Sequence, residues 1–165
     1  MQFFDTNILI YTLDPAEPVR QPIALQLVRQ ALQGRTMAIS TQVVLEFYNT
    51  ALRRRLMTPA LAVQLLQEWA GNEVVNSTPD LLWRAFELQQ RLQLSVWDAL
   101  IVQAALDAGC TTLYSEDMQH GMQITGLTIV NPFVAPAAVH EPPAAYGATA
   151  ALRTRRKSGP QRTRA

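Results

Sequence analysis

Apolar positions along the chain fall into short blocks whose spacing alternates between that of strands and that of helices. The pair Phe3-Phe4 followed by Asp5-Thr6-Asn7 predicts a buried strand over residues 2–5 that runs directly into a helix start. A short helix over 6–13 follows, stopped by Asp14-Pro15. From residue 18 to 33 the apolar side chains Val19, Ile23, Leu27 and Ala31 recur every four residues, the mark of an amphipathic helix that Gly34 ends. Residues 36–40 predict a second strand. Ser40 or Thr41 can cap the next helix, which runs through Val44, Phe47, Tyr48, Ala51 and Leu52 to the basic run Arg53-Arg54-Arg55. Thr58-Pro59 opens a helix that ends near Gly71, residues 73–76 form a very short third strand, and Thr78-Pro79 starts a helix to about Gln93. Ser95 caps a further helix to Gly109. It is apolar on nearly every side, which predicts a central position. Residues 111–114 and 127–131 supply the last two strands.

Strands alternating with helices predict an α/β domain with a parallel sheet and right-handed crossovers. Such sheets place their sites at the C-terminal ends of the strands. After Pro132 the composition changes to Ala, Pro and Gly and then to Arg-Thr-Arg-Arg-Lys, without apolar periodicity. The chain therefore divides into a domain at 1–133 and a tail at 134–165, with disorder expected from about 135.

Composition adds limits. With 165 residues, 48% apolar and 16% charged, the chain suits one globular domain with a real core. The most apolar run, residues 96–106, is interrupted by Asp98 and Gln103, short of the roughly 18 apolar residues a membrane span needs. Met1-Gln2-Phe3-Phe4-Asp5 carries no basic leader or cleavage site, which predicts a cytoplasmic protein. The single cysteine, Cys110, has no partner for an internal disulfide and reads as a core residue. The net charge of +1 hides an asymmetry, because six of the 14 Lys and Arg lie between Arg153 and Arg164. The remainder carries eight basic against 13 acidic residues, so net charge argues neither for nor against a polyanionic ligand. The tail could add sequence-independent affinity for a polyanion.

Four acids are the candidate chemistry. Asp5 falls where the first strand ends and Asp117 just after the fourth, in Ser115-Glu116-Asp117; Asp98 lies in the first turn of the central helix and Glu46 in the first half of the helix after the second strand. A parallel sheet allows all four to converge on one rim. Each also has a bland explanation. Asp5 can simply start a helix, Ser95-Val96-Trp97-Asp98 matches a capping box, Glu46 shares a polar stripe with Gln42, Asn49 and Arg53, and Asp117 and Glu116 can be turn residues. What distinguishes the conjunction is repulsion. Crowded carboxylates raise one another's pKa unless a cation compensates, and oxygen-only ligands favour Mg²⁺ or Mn²⁺ over Zn²⁺. His120 reads as a lone surface residue and His140 lies in the tail.

Phe4-Asp5-Thr6-Asn7-Ile8-Leu9, Val44-Leu45-Glu46, Ser95-Val96-Trp97-Asp98-Ala99-Leu100-Ile101 and Leu113-Tyr114-Ser115-Glu116-Asp117 with His120-Gly121 resemble, in this order, the PIN-domain family, and most of all the VapC toxins of VapBC toxin–antitoxin systems. The resemblance spans about residues 1 to 133. It implies a three-layer sandwich with a five-stranded parallel sheet flanked by helices, and a Mg²⁺- or Mn²⁺-dependent endoribonuclease. By matching position Asp5, Glu46, Asp98 and Asp117 would be the catalytic quartet, with Asp5, Asp98 and Asp117 holding the metal. Thr6, Asn7 and Ser115 match supporting positions, and Glu116 is an extra acid. The resemblance further implies a cognate antitoxin, a homodimer and an RNA substrate such as tRNA or another structured RNA. The basic tail has no counterpart in it.

On this reading the reaction is hydrolysis of an RNA phosphodiester, with Glu46 sharing metal binding or orienting the attacking water. Arg53, Arg54 and Arg55 are candidate RNA contacts, although a charge run at a helix end is equally well a solvated one. A non-cleaving RNA- or protein-binding module on the same fold is the alternative. A phosphatase of the haloacid-dehalogenase type fits less well, since it needs a second Asp two residues after the first, where this chain has Asn7.

Overall fold

Strands of three or four residues persist only where both faces are covered, and the first strand meets that condition. In the computed structural model, which describes residues 1–134, Phe3 and Phe4 point to opposite faces of β1 (Gln2–Phe4) and neither has exposed surface. β2 (Met37–Ser40) is buried at all four positions. With β3 (Glu73–Val75), β4 (Thr112–Tyr114), β5 (Gln123–Ile124) and β6 (Leu127–Val130) they build one sheet in the order β3-β2-β1-β4-β6-β5.

The five strands expected from the sequence are all present and mutually parallel, with Phe3 in register with Ala38 on one side and Leu113 on the other. The sheet has a sixth member, however. β5 runs antiparallel to β6 across a two-residue turn, Thr125-Gly126, whose residues both have positive φ (49° and 86°) as a primed hairpin turn demands. The fold is thus α/β with a mostly parallel sheet, one strand wider than the expectation.

Helices cover the sheet: α1 (Thr6–Tyr11), α2 (Arg20–Gln33), α3 (Thr41–Arg53), α4 (Pro59–Trp69), α5 (Pro79–Leu92) and α6 (Val96–Asp107). Five begin on the caps their sequences offer, Asp5, Ser40, Thr58, Thr78 and Ser95 each accepting from an N–H of the first turn. α1 stops at Tyr11, two residues before the expected end. α2 starts at Arg20 and not at residue 18, because Pro18 and Val19 belong to the preceding turn and Val19 has no capping side chain. α6 is central as expected, with every residue from Ala99 to Ala105 buried. Among the described residues no helix is long and apolar enough to cross a membrane. The tail from 135 lies outside the described residues.

From β1 the chain builds outward through β2 to β3, then returns to add β4 and β6 on the other side of β1. The direction of winding therefore reverses between β1 and β4, and a crevice opens beyond the carboxyl ends of strands at such a point. Asp5 follows β1 there, and Ser115 follows β4.

Candidate active site

Asp5 serves the fold and the crevice at once. Its N–H donates to the Tyr114 carbonyl at 3.0 Å, so β1 and β4 are still paired where the side chain leaves the sheet. Oδ1 accepts the Thr6 N–H at 2.6 Å as the N-cap of α1, and Oδ2 accepts the Ser115 hydroxyl at 2.7 Å. Only 7% of the residue is exposed. Burial pushes its carboxyl up from 3.8 to about 6; the hydrogen bonds from Ser115 and Thr6 oppose the rise, and the charges of Glu46 and Asp117 add to it.

The neighbouring acids are held by the first turn of α1. Thr6 donates its hydroxyl to Glu46 Oε2 at 2.8 Å, while Gln42, one turn earlier on α3, donates to Oε1 at 2.9 Å. Asn7 Nδ2 lies 3.0 Å from Asp117 Oδ2 and 3.4 Å from Asp5 Oδ2, so one amide bridges both carboxylates. Its Oδ1 is buried and has no hydrogen-bond partner among the described residues. Asp5, Glu46 and Asp117 line one cavity of about 250 Å³ together with Thr50, Arg53 and Arg54, which continue the Glu46 stripe along α3 to its C-cap.

Asp98 stands apart from this cavity. It occupies the first turn of α6, where its N–H donates to Ser95 Oγ at 3.0 Å, as the capping motif requires. Its neighbour Trp97 lines a second groove with Gln42 and Glu46, so the start of α6 comes near one of the acids. Among the described residues no group of three Asp, Glu, His or Cys side chains is already gathered to hold a metal ion.

Glu116 turns away from its neighbour Asp117. Tyr11 donates its hydroxyl to Glu116, and Arg20 Nε lies 2.8 Å from Glu116 Oε1. Burial, followed by that hydrogen bond, pushes the Tyr11 phenol up to about 12. His120 is a structural acceptor, its Nδ1 taking the Asn131 N–H at 3.1 Å. Arg54 pairs with Asp14 at 3.4 Å, and Arg55, in the left-handed region at φ 56°, ends α3 outside the cavity. His140 lies outside the described residues. Sequence reading missed Tyr11, Arg20, Thr50 and Asn131. Only Tyr11 left a local signal, since it follows Asn7 by one helical turn.

The sequence profile of the PIN domain matches residues 3–120. No curated protein matches the chain by sequence. Among solved structures, a chain of a toxin–antitoxin complex from Klebsiella pneumoniae is similar at 24% identity and a TM-score of 0.60, over 80% of this chain and 98% of that one. The sarcin-ricin loop cleaving toxin VapC20 of Mycobacterium tuberculosis follows at 23% and 0.58, over 71% and 90%, and VapBC2 of Rickettsia felis, bound to promoter DNA, at 17% and 0.55, over 78% and 96%. These likenesses concern the fold, while the profile spans most of the chain and includes Asp5, Glu46, Asp98 and Asp117 in order. The chain belongs to the PIN domain family.

Proposed function

We propose that the protein is a divalent-metal-dependent endoribonuclease, the toxin of a type II toxin–antitoxin pair acting on tRNA or another structured RNA in the cytoplasm. The observation that carries this reading is the cavity at the winding reversal, which a buried carboxylate with a raised pKa lines together with two further carboxylates and two arginines. The donor set suits Mg²⁺ or Mn²⁺. It offers oxygen only, and the charges of Glu46 and Asp117, which help raise the Asp5 carboxyl, are ones that a cation would offset. Asp5, Asp98 and Asp117 would hold the metal, which when bound lowers the pKa of water and neutralises charge on a phosphoryl group.

The remaining work falls to the chain itself. Glu46, fixed by Thr6 and Gln42, orients the attacking water. Ser115 and Thr6 hold the Asp5 carboxylate at the carboxyl end of β1, and Asn7 holds Asp117 beside it. Arg53 and Arg54 are placed to take the flanking phosphates, so the RNA would cross the cavity from α3 toward the loop after β4. Arg55 contributes at most a peripheral charge.

Partners follow from the same reading. An apolar groove of about 430 Å³ between α2 and α4, lined by Leu13, Val28, Leu32, Leu65 and Trp69, suits an antitoxin segment. The exposed Leu45 and Trp97 suit a homodimer contact.

The residue assignments are tested by cleavage of total tRNA at saturating Mg²⁺ with Asp5→Asn, Glu46→Gln, Asp98→Asn and Asp117→Asn. Each should lower the rate by a factor of about 100 or more. Near-normal cleavage by Asp5→Asn or Asp117→Asn contradicts the site, and near-normal cleavage by Asp98→Asn alone removes that residue from it. The separation of Asp98 from the cavity favours one competing reading, a non-cleaving module that binds RNA or protein through the same surface. Metal-dependent RNA binding without turnover would select it.

A further inference from the structure

Glu116 and Asp117 are adjacent in the chain yet face different partners, and a circuit of contacts that begins at Tyr11 on the cavity lining separates them. α1 presents Asn7 and Tyr11 one turn apart on a single face, so one helix grips two successive residues of the loop after β4: Asn7 donates to Asp117 and Tyr11 to Glu116. Arg20 of α2 completes the grip. Its Nε and Nη2 both lie 2.8 Å from Glu116 Oε1, and its guanidinium sits 5.4 Å from the Tyr11 ring centre and 5.8 Å from that of Phe133. Phe133 meets Tyr11 edge-on at 5.2 Å and donates its N–H to Asn131 Oδ1 at 2.9 Å. Asn131 Nδ2 in turn donates to the Glu116 carbonyl at 3.3 Å, which closes the circuit. Glu116 is thus anchored at side chain and backbone, whereas among the described residues the Asp117 carboxylate has a single hydrogen bond, from Asn7.

We propose that Arg20 is a positioning residue for Asp117: by holding Glu116 against Tyr11 it fixes the loop so that the Asp117 carboxylate faces Asp5 across the Asn7 amide. A released Glu116 could swing toward the cavity and let the neighbouring residue drift from Asn7. Lysine cannot replace the function fully, because it lacks both the planar fork and the stacking on two rings. Glu17 also pairs with Arg20, at 2.9 Å, and its charge reaches Tyr11, but among the described residues it makes no side-chain hydrogen bond to another member of the circuit and should be dispensable. The consequence for metal binding rests on the nuclease reading; the consequence for Asp117 geometry does not.

The test uses the full-length, metal-free protein and two readouts: the Asn7 side-chain amide signal in ¹⁵N NMR, and Mn²⁺ affinity from the paramagnetic resonance of the free ion. Arg20→Ala and Glu116→Ala should each move the Asn7 signal and weaken Mn²⁺ binding about 10-fold. The double variant should be no worse than either single one, because both remove the same contact. Arg20→Lys should fall between wild type and Arg20→Ala, and Glu17→Gln should match wild type. If Arg20→Ala fails to fold, Arg20→Lys carries the comparison. An unmoved Asn7 signal in the Arg20 variants overturns the proposal, as do additive losses. So does a Glu116→Ala loss as large as that of Asp117→Asn beside an unaffected Arg20→Ala, which would make Glu116 a ligand in its own right. If wild type binds no Mn²⁺, the metal-site reading fails, and the Asn7 signal still decides the role of Arg20.

Discussion

Replacing Asp5 by asparagine should stabilise the metal-free protein while abolishing its activity. The Asp5 carboxyl is raised from 3.8 to about 6, chiefly by burial. Below pH 3.8 it is protonated in both folded and unfolded chains and costs nothing. As the pH rises, the unfolded chain ionises first, so the folded state loses stability progressively until the pH passes about 6, where the loss levels off at about 3 kcal/mol. Asparagine removes this charge and keeps most of the geometry: its Oδ1 can accept the Thr6 N–H, and the Ser115 hydroxyl can reverse to accept from the new amide. It leaves Asn7 Nδ2 facing a second donor at 3.4 Å, which offsets about 1 kcal/mol. The net gain at pH 7.5 is about 2 kcal/mol, or roughly 5 °C in Tm. Urea unfolding in EDTA between pH 4 and 8 measures it, and the difference between Asp5→Asn and wild type isolates Asp5 from the other carboxylates. A difference that does not grow between pH 4 and 6, or a variant less stable than wild type at pH 7.5, refutes the reasoning. Saturating Mg²⁺ should narrow or reverse the gap, since only the wild-type site gains from a bound cation.

Truncating Phe47, which has no exposed surface and meets Trp69 edge-on at 4.8 Å, should cost about 4 kcal/mol in urea unfolding, because α3 and α4 cannot both close over the space. Ser95→Ala removes the acceptor of the Asp98 N–H and should cost about 1 kcal/mol, with amide exchange rising first at the start of α6. Arg53→Ala should weaken RNA binding and lower the slope of log K against log salt by about 1, without changing the unfolding midpoint; an unchanged slope would mark Arg53 as a solvated helix-end charge.

The strand-end acids were legible because the backbone itself places them. Phe3-Phe4-Asp5 and Leu113-Tyr114-Ser115 each read as a buried strand breaking into polar residues, and parallel pairing then requires the two ends to meet. Helix starts were legible for the same local reason, as Ser40, Thr58, Thr78 and Ser95 cap within three residues. β5 was not, since two residues cannot display a period of two, and only the Thr125-Gly126 turn marks it. Two adjacent acids cannot be sorted by pattern either. Glu116 and Asp117 are distinguished by Arg20 and Asn7, whose separations of 96 and 110 residues leave no trace in local spacing. Asp98 shows the opposite limit: its capping role was visible in Ser95-Val96-Trp97-Asp98, and that role is what the geometry displays, whereas its convergence with the other acids, expected from sheet topology and from the family pattern, does not show in the lining of the cavity.

The central claim is metal-dependent hydrolysis of RNA. The purified full-length protein, freed of any bound antitoxin, should be incubated with total tRNA and ribosomal RNA in Mg²⁺, in Mn²⁺ and in EDTA, and the products resolved by length. Discrete fragments in either metal and intact RNA in EDTA are the predicted result. Intact RNA under all three conditions, or identical fragments with EDTA present, would contradict the account.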